Sequence, residues 1–409
     1  MKIAVFHNIP SGGAKRALFE WIHRLTGEHT LDVYSLSTAD HSFCDVRPFA
    51  SQHRVFEFSP RSLFKRPFGR LNQFQRWRDL GDLKQLNRRI AEQINQGGYD
   101  VVFANTCIYT FIPALLQYIR VPSVYYLHEP FGSSFYRGFE RPYLKKGNPR
   151  EGMNRLDPLI GLYHWRLDFI QERSVRGATR LLSNSKFTRD RIQQEYGADA
   201  AFSPYGVDLK GFHPVKGFLR ENYVVSVGEL SPRKGFDFVV KSLGTIPVEQ
   251  RPPLKLACNM VHSDELAYIK DLAERNGVQL EVLVNQDMDQ LRELYNRARL
   301  CVYAPVMEPF GLVPLEAMAC GVPVVGVLEG GVLESVVHGL TGLLVERDAQ
   351  KFGAATLQLL TNRDLAETYG RNGREHVLKN WTWERSVSIL ESHLADCANK
   401  GYEQKSLNN

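Results

Sequence analysis

Residues 304–331 read APVMEPFGLVPLEAMACGVPVVGVLEGG. The apolar run that ends at Ala304 predicts a strand, and Pro305 opens a loop after it. A helix is predicted over about residues 312–320, because Gly321 follows in the position of a C-terminal glycine cap. The β-branched residues after that glycine predict a second strand, buried on both faces. The sequence therefore predicts a unit of strand, loop, helix and strand.

The N-terminus of the predicted helix suits a phosphate or a sugar hydroxyl. Its first backbone N–H groups lack intrahelical partners, and the helix dipole adds positive potential. Glu308 comes just before this turn, and Glu316 lies one to two turns inside the helix. The two carboxylates can therefore accept hydrogen bonds from a sugar and from a ribose. A pair of glutamates at this spacing is also common on ordinary solvated helices, so the pair alone leaves both interpretations open.

The block around these glutamates is more specific. Residues 308–325, EPFGLVPLEAMACGVPVV, resemble the signature of the retaining, nucleotide-sugar-dependent glycosyltransferases of the GT4-like group. The resemblance implies an α/β protein with the GT-B fold. In that fold two Rossmann-like, doubly wound domains face each other across a cleft, and a C-terminal helix crosses back to the N-terminal domain. It also implies transfer of a hexose from a UDP- or GDP-sugar with retention of anomeric configuration.

The length of the chain and its alternating strands and helices also favour two domains. A chain of 409 residues is too long for one ordinary core. We expect an acceptor-side domain over residues 1–208, a linker over 209–221 and a nucleotide-sugar-binding domain over 222–380. Residues 381–409 are expected to form the helix that packs back on the first domain, with a short tail.

Composition excludes several classes of protein. Hydrophobic residues make up 43% and charged residues 23% of the chain, as in a soluble globular protein. No apolar run reaches the roughly 18 residues that a membrane-spanning helix needs, and the start, MKIAVF, predicts a strand and not a secretory signal. The six cysteines are scattered, which favours reduced thiols in a cytoplasmic protein. The net charge of +6 is too small to indicate nucleic acid by itself.

Two further positions lie at the ends of predicted strands in the first half. Gly13 belongs to a glycine turn after the first strand, where a backbone can approach a ligand closely. His128 follows the strand predicted over residues 121–127. In parallel sheets ligands bind outside the carboxyl ends of the strands. The plain alternatives, a tight turn and a structural histidine, remain open at this stage.

A loop in the second half reads GELSPRKG, residues 228–235. The resembled family has an arginine directly after the first glycine and a Lys-Gly pair at the end, both of which bind the donor diphosphate. Here Lys234 matches the lysine, but the arginine position is Glu229. Arg233 is the nearest substitute, and the sequence does not fix its direction.

The resemblance implies a role for each residue of the candidate site. Lys234 and Arg233 are expected to bind the diphosphate, and the backbone of Phe310, Gly311 and Leu312 to bind the donor sugar and phosphate. Glu308 is expected to bind the sugar hydroxyls, and Glu316 to bind the ribose. His128 is expected near the reactive end of the sugar, and Gly13 on the phosphate side of the first domain. No Asp-x-Asp motif occurs in the relevant loops. The reaction is therefore expected to need no metal and no other cofactor.

Residues 61–90 and 137–150 are rich in basic side chains, and the first of these stretches is interleaved with aromatic residues. One interpretation is a solvated surface with ordinary ion pairs. The other is peripheral docking on an anionic lipid or on a phosphate-bearing acceptor, such as a glycan or a lipid-linked acceptor of the cell envelope. Nucleic acid is the least favoured partner, because no recognisable binding module accompanies the charge.

Two other functions compete with that of a glycosyltransferase. A Rossmann-type oxidoreductase is disfavoured, because Gly-x-Gly-x-x-Gly followed by an acidic residue about 20 residues later is lacking. A catalytically inactive binding subunit of the same fold, partnering an active enzyme, is favoured by Glu229 in place of arginine. The second alternative stays open on sequence alone.

Overall fold

The computed structural model describes residues 1–65, 68–129, 141–143, 157–259 and 261–407, with side chains described as far as residue 399. Two parallel sheets follow one another along the chain. Apolar side chains from both faces of the first sheet enter separate core clusters, so helices cover that sheet on both sides. The predicted class, two doubly wound α/β domains, is confirmed.

The first sheet has the order β3-β2-β1-β4-β5-β6-β7. Its strands are β1 (Lys2–Asn8), β2 (Thr30–Leu36), β3 (Gln52–Phe56), β4 (Val101–Cys107), β5 (Ser123–Leu127), β6 (Arg180–Ser183) and β7 (Ala201–Phe202). The α-helices that follow them in the described ranges are α1 (Gly13–Leu25), α2 (Asn72–Gln96), α3 (Pro158–Gly177) and α4 (Lys186–Tyr196). Chain order reverses between β1 and β4, which is where an open α/β sheet binds its ligands.

The second sheet has the order β10-β9-β8-β11-β12-β13, with the reversal between β8 and β11. Its strands are β8 (Val224–Val227), β9 (Leu254–Cys258), β10 (Leu280–Val284), β11 (Leu300–Tyr303), β12 (Val324–Val327) and β13 (Gly342–Val345). Its α-helices are α5 (Phe236–Gly244), α6 (Ser263–Arg275), α7 (Met288–Arg297), α8 (Leu312–Ala319), α9 (Val332–Ser335), α10 (Ala349–Thr361) and α11 (Arg363–Asn380).

The last helix, α12 (Trp383–Leu407), packs on α1 and on β4 and β5 of the first sheet. Trp21 Nε1 of α1 donates to Ser386 Oγ at 3.0 Å inside the core. Arg180 at the start of β6 lies 3.2 Å from Asp396. The predicted return of the C-terminal helix to the N-terminal domain is confirmed.

Three strands were not predicted, namely β3, β7 and β13. The side chains of β3 are half-buried or exposed, as expected at a sheet edge, so the strand lacks an apolar run. The strand β7 has only two residues, and β13 opens on Gly342. Such short strands form because they pair with a parallel neighbouring strand, and the local sequence pattern does not predict that pairing.

Candidate active site

A cavity of about 590 Å³ lies between the two sheets, outside the carboxyl ends of β1, β5, β8 and β11. Its wall includes every residue to which the sequence assigned a role: Gly13, His128, Arg233, Lys234, Glu308, Phe310, Gly311, Leu312 and Glu316. The fold therefore brings together side chains from four strand ends and two sheets. The roles of these side chains toward a ligand are proposals.

Two glycine-containing turns, one from each domain, meet at the wall of this cavity. Gly12 has φ +135° and Gly311 has φ +93°, a backbone region that side chains rarely adopt. A Cβ atom added to Gly13 would lie 3.5 Å from Leu312 Cδ1. The N-terminus of α8 thus approaches the start of α1 closely, and both helix starts open toward the same cavity.

Lys234 and Glu308 form an ion pair in the wall of the cavity. Lys234 Nζ donates to Glu308 Oε2 at 2.9 Å, and each side chain is 14% exposed. Burial alone would raise the pKa of Glu308, but the positive charges of Lys234 and Arg233 outweigh it and hold that pKa below its ordinary value. Glu308 is therefore ionised near neutral pH, and it keeps Lys234 oriented at the mouth of α8.

The loop that carries Glu308 is braced by the glycine pair after β12. Gly331 N donates to Glu308 O at 2.7 Å. A Cβ atom added to Gly330 would lie 2.5 Å from the same carbonyl oxygen. Met307 adopts φ +50°, which is uncommon for a residue with a side chain. The Gly330–Gly331 turn thus has a packing role beside the cavity.

Glu316 is buried at the first turns of α8 and bridges two elements. Arg16 Nη1 of α1 donates to Oε1 at 3.0 Å, and the Tyr295 hydroxyl of α7 donates to Oε2 at 3.1 Å. Burial raises the pKa of Glu316, while Arg16 and Tyr295 oppose that rise. The carboxylate is consequently fixed in direction before any ligand arrives.

The structure shows where Arg233 and Glu229 lie. Both line the cavity. Arg233 Nη2 donates to Glu129 Oε1 at 3.1 Å, which links the second domain to the end of β5 in the first. Glu229 lies 3.3 Å from His262 Nε2, on the solvent side. A guanidinium therefore reaches the cavity from position 233, although position 229 carries a carboxylate.

His128 is buried, with both ring nitrogens engaged. Nε2 lies 3.1 Å from Asn105 Oδ1, which can only accept, so Nε2 carries the proton and Nδ1 accepts from the Tyr205 hydroxyl at 2.6 Å. Burial lowers the pKa of His128 to about 3. The imidazole is thus neutral at physiological pH. It forms a wall of the cavity as a fixed, uncharged ring.

Further contacts join the two domains beside the cavity. The Glu334 carboxylate of α9 accepts from the backbone N–H groups of Lys186 and Phe187, each at 3.0 Å, and so caps α4 from the opposite domain. Ser185 Oγ, also at the start of α4, donates to Pro309 O at 2.5 Å. These bonds pin the Glu308 loop to the first domain.

A second bridge lies on the other side. Arg141 Nε donates to Glu265 Oε2 at 2.9 Å, and Arg141 Nη2 donates to Asp237 Oδ1 at 3.1 Å. Both Arg141 and Glu265 are buried. The described structure is therefore a closed form of the cleft.

Sequence reasoning assigned no role to Arg16, Glu129 or Tyr205, although each lines the cavity. Arg16 stands three residues after Gly13 in the first turn of α1, where a charged side chain beside a glycine turn could have been noticed. Glu129 follows His128 directly. Tyr205 is recognisable only in the fold, because its ring lies 4.8 Å from the Phe310 ring of the other domain, measured between centroids.

Comparison with known families places both halves of the chain. Residues 11–210 match the family Glycosyltransferase Family 4, and residues 212–376 match the family Glycosyl transferases group 1. Among known proteins, a D-inositol 3-phosphate glycosyltransferase of Paenarthrobacter aurescens is 30% identical over 54% of this chain and 59% of its own length. A GDP-mannose-dependent alpha-(1-6)-phosphatidylinositol monomannoside mannosyltransferase of Mycolicibacterium smegmatis is 31% identical over 51% of this chain and 60% of its own length. The alignments thus span less than two thirds of these relatives.

Solved structures share the whole architecture. Sucrose-phosphate synthase from Thermosynechococcus elongatus superposes over 100% of both chains with a TM-score of 0.72 and 22% identity. Anabaena HepE, solved in complex with UDP and glucose, superposes over 97% of this chain and 99% of its own with a TM-score of 0.70 and 20% identity. These likenesses establish the GT-B fold. The two family matches show that the chain belongs to the family 4, or group 1, glycosyltransferases.

Proposed function

We propose that this protein transfers a hexose from a UDP- or GDP-sugar to a glycan or lipid-linked acceptor, with retention of anomeric configuration and without a metal ion. One observation carries the proposal. Lys234, Arg233 and the N-terminus of α8 converge on one interdomain cavity, where Glu308 and Glu316 supply carboxylates on either side.

The geometry suits a reaction in which negative charge develops on a leaving diphosphate. Breaking the anomeric C–O bond leaves an oxocarbenium-like sugar and a nucleoside diphosphate that gains charge. Donors already fixed toward that charge stabilise the transition state more than the ground state. Glu308 holds Lys234 in place, and the unpaired N–H groups of the first turn of α8 add positive potential. A sugar diphosphate placed between Lys234 and the N-terminus of α8 would contact both.

Retention follows if the leaving phosphate accepts the proton of the acceptor hydroxyl on the same face of the sugar. This route asks for no side-chain base. The buried, neutral imidazole of His128 agrees with it, since both ring nitrogens already have partners and the pKa lies far below neutrality. His128 then shapes the sugar pocket and carries no proton through the reaction.

The comparisons support the donor class and leave the base open. HepE was solved with UDP and glucose, whereas the mycobacterial relative is named for GDP-mannose. The names of both curated relatives refer to inositol-containing acceptors. For this chain, a donor screen by thermal shift identifies the base first, because a ligand that binds only the folded state raises its melting temperature.

The decisive experiment measures release of free nucleotide from UDP- and GDP-sugars, with and without candidate acceptors. Release that requires an acceptor and gives a product with unchanged anomeric configuration supports the proposal. A protein that binds UDP or GDP but releases nothing with any acceptor favours the alternative, an inactive binding subunit. Inverted product would refute retention.

The same assay checks the expected independence of metal ions. We expect turnover to change by less than about twofold, which is within assay scatter, when 5 mM EDTA replaces 5 mM MgCl₂. The reason is that Lys234 and the α8 dipole already stabilise the negative charge of the diphosphate. Among the described residues, a cluster with metal-ligand geometry comprises Glu28, His29 and Glu391, at the opposite end of α1 from the cavity. Loss of activity in EDTA that Mg²⁺ restores would contradict this part of the proposal.

We further propose that the first domain docks on an anionic membrane surface. No helix in the described ranges is both long and apolar enough to cross a membrane. However, the segment before α2, the first turn of α2 and α3 expose large apolar side chains, each at least 40% accessible: Leu63, Phe64, Phe68, Leu71, Phe74, Leu162, Trp165 and Phe169. We call this the aromatic face. Arg166 Nη1 donates to Trp77 O at 2.9 Å and ties its two helices together.

Basic side chains of residues 61–90 lie in the same stretch of sequence as part of the aromatic face, and some are already paired. Arg61 contacts Asp79 at 2.7 Å, and Arg70 contacts Asp157 at 2.6 Å. Arg76 and Arg78 are both exposed on α2. These ion pairs are those of an ordinary solvated surface, whereas accessible arginines beside exposed aromatic rings support docking. Of the second stretch, 137–150, all but 141–143 lies outside the described residues, and Arg141 faces the other domain.

We expect Arg76→Glu/Arg78→Glu to weaken binding to phosphatidylglycerol-containing vesicles at least about tenfold, since each basic residue near an anionic surface contributes about 1 kcal/mol. Vesicle flotation in low and high salt measures this. The matched control is Arg371→Glu/Lys379→Glu, a reversal of two basic residues on α11, away from the aromatic face. Vesicle binding that changes neither with salt concentration nor in Arg76→Glu/Arg78→Glu would refute electrostatic docking.

A further inference from the structure

A second group of basic side chains lies behind the cavity, under the loop of residues 37–51 that connects β2 to β3. Lys15, on the first turn of α1, is completely buried, and its ammonium has no hydrogen-bond partner among the described residues. His7, near the end of β1, is also completely buried, and neither of its ring nitrogens has a partner there. Buried polar atoms without partners are uncommon and costly, so a pair of such side chains together calls for an explanation.

Two more histidines complete the group, and both are engaged. The His41 ring lies 6.4 Å from that of His7 and 5.6 Å from that of His53, measured between centroids. His41 Nε2 donates to Leu36 O at 3.1 Å, and His53 Nε2 lies 3.1 Å from Ser35 Oγ. The unused donors of the group are therefore those of Lys15 and His7.

The nearby carboxylates are occupied within the loop itself. Asp40 Oδ1 accepts from the backbone N–H groups of Ser42 and Phe43 at 2.8 and 2.9 Å. Asp45 Oδ1 accepts from Arg47 Nε at 2.9 Å. Neither forms an ion pair with Lys15 among the contacts of the described residues. The ammonium thus has acidic neighbours at a distance but no counter-ion in contact.

We propose that Lys15 and His7 bind an anionic phosphate group of the acceptor, which enters from the cavity beneath the β2–β3 loop. The inference rests on the proposed glycosyl transfer, since it names the chemistry of the acceptor. Phe43 belongs to this loop and lines the cavity, as do Ala14 and Arg16, the neighbours of Lys15 in the chain. The phosphate supplies the counter-ion and the acceptors that the two side chains lack.

Electrostatics agree with such a ligand. Burial, which outweighs the attraction of Asp40 and Asp45, lowers the pKa of Lys15 to about 8, and Arg47 acts in the same direction. The pKa of His7 is lowered by burial and then by Lys15, His41 and His53. Because a bound anion stabilises the protonated forms, phosphate affinity should fall at least about tenfold between pH 7 and 9.5, as Lys15 loses its proton.

The experiment is calorimetric titration of inorganic phosphate into the full chain. Lys234→Ala serves as the background, so that phosphate binding at the proposed diphosphate site is weakened. In that background we expect Lys15→Met to weaken phosphate binding at least tenfold, and Lys270→Met, which removes an exposed lysine of α6, to leave it unchanged. Equal phosphate affinity in the background protein and in its Lys15→Met variant would overturn the proposal.

Stability and donor binding keep the result interpretable. Because the lowered pKa of Lys15 means that burying its charge costs stability below pH 8, Lys15→Met should raise the melting temperature there, and the gain should shrink as pH rises through 8. Lys15→Met in the otherwise natural chain should bind UDP or GDP as before. If no nucleotide binds but phosphate still depends on Lys15, the glycosyltransferase proposal fails and the anion site stands. If nucleotide binds and phosphate affinity does not depend on Lys15, the glycosyltransferase proposal stands and the anion-site proposal fails.

Discussion

Lys234→Ala is expected to reduce kcat by about 10²–10³-fold, the usual effect of removing one donor that stabilises developing negative charge. In this structure Lys234 Nζ lies 2.9 Å from Glu308 and faces the N-terminus of α8. Its loss removes the cation and also leaves the buried Glu308 carboxylate without its nearest counter-charge. Initial rates of nucleotide release over a range of donor concentrations separate the effect on kcat from the effect on KM.

The control for this variant is Lys270→Ala, because Lys270 is exposed on α6. Lys234→Ala/Glu308→Gln adds a stability control, since it removes the unpaired carboxylate along with the cation. If the double variant melts at the natural temperature and remains inactive, the loss is chemical and not a loss of folding. Activity within a factor of about two of the natural enzyme in Lys234→Ala would remove Lys234 from the proposed mechanism.

Glu316→Ala is expected to raise the KM for donor by about 10–100-fold while kcat falls less. A hydrogen bond from a ribose hydroxyl to a charged acceptor contributes about 1.5–3 kcal/mol, which corresponds to this range. The carboxylate is already oriented by Arg16 and Tyr295, so the natural enzyme loses little conformational freedom in meeting the ribose. The measurement is KM for the nucleotide sugar identified in the donor screen.

Glu316→Gln is the matched variant, because it keeps an acceptor for the Tyr295 hydroxyl but loses the charge that holds Arg16. We expect a KM between those of the natural enzyme and Glu316→Ala. Burial raises the pKa of Glu316, so the carboxylate takes up a proton at higher pH than an exposed glutamate does. Donor affinity of the natural enzyme should therefore decline on acidification, and that decline should vanish in Glu316→Gln. Identical donor KM in all three proteins would show that Glu316 has a purely structural role.

The local parts of the candidate site were predictable. The helix predicted over about residues 312–320 is observed over Leu312–Ala319, because the glycines at 311 and 321 fix both of its ends within a few residues. The parallel class followed from strands alternating with helices. Edge strand β3 was not predicted, because its side chains form no apolar pattern and its strand conformation comes from pairing with β2.

The sequence could not predict that both ring nitrogens of His128 have hydrogen-bond partners. Its position after β5 indicated a ligand-facing edge, as the sheet topology requires. Whether its nitrogens are free depends on Asn105 and Tyr205, which are 23 and 77 residues away along the chain. Likewise, the unpartnered Lys15 reads in the sequence as an ordinary charged helix residue, and only the loop folded over it makes it unusual.

The sequence by itself determined the family, the parallel two-domain class and the backbone turns that expose the start of α8, because those depend on residue preferences acting over a few positions. The tertiary structure alone decided which charges meet. Lys234 reaches Glu308 across 74 residues, and Arg16 reaches Glu316 across 300. The physical reason is that an ion pair depends on side-chain direction and burial, which are set only when two sheets, a crossing helix and the closed cleft pack together.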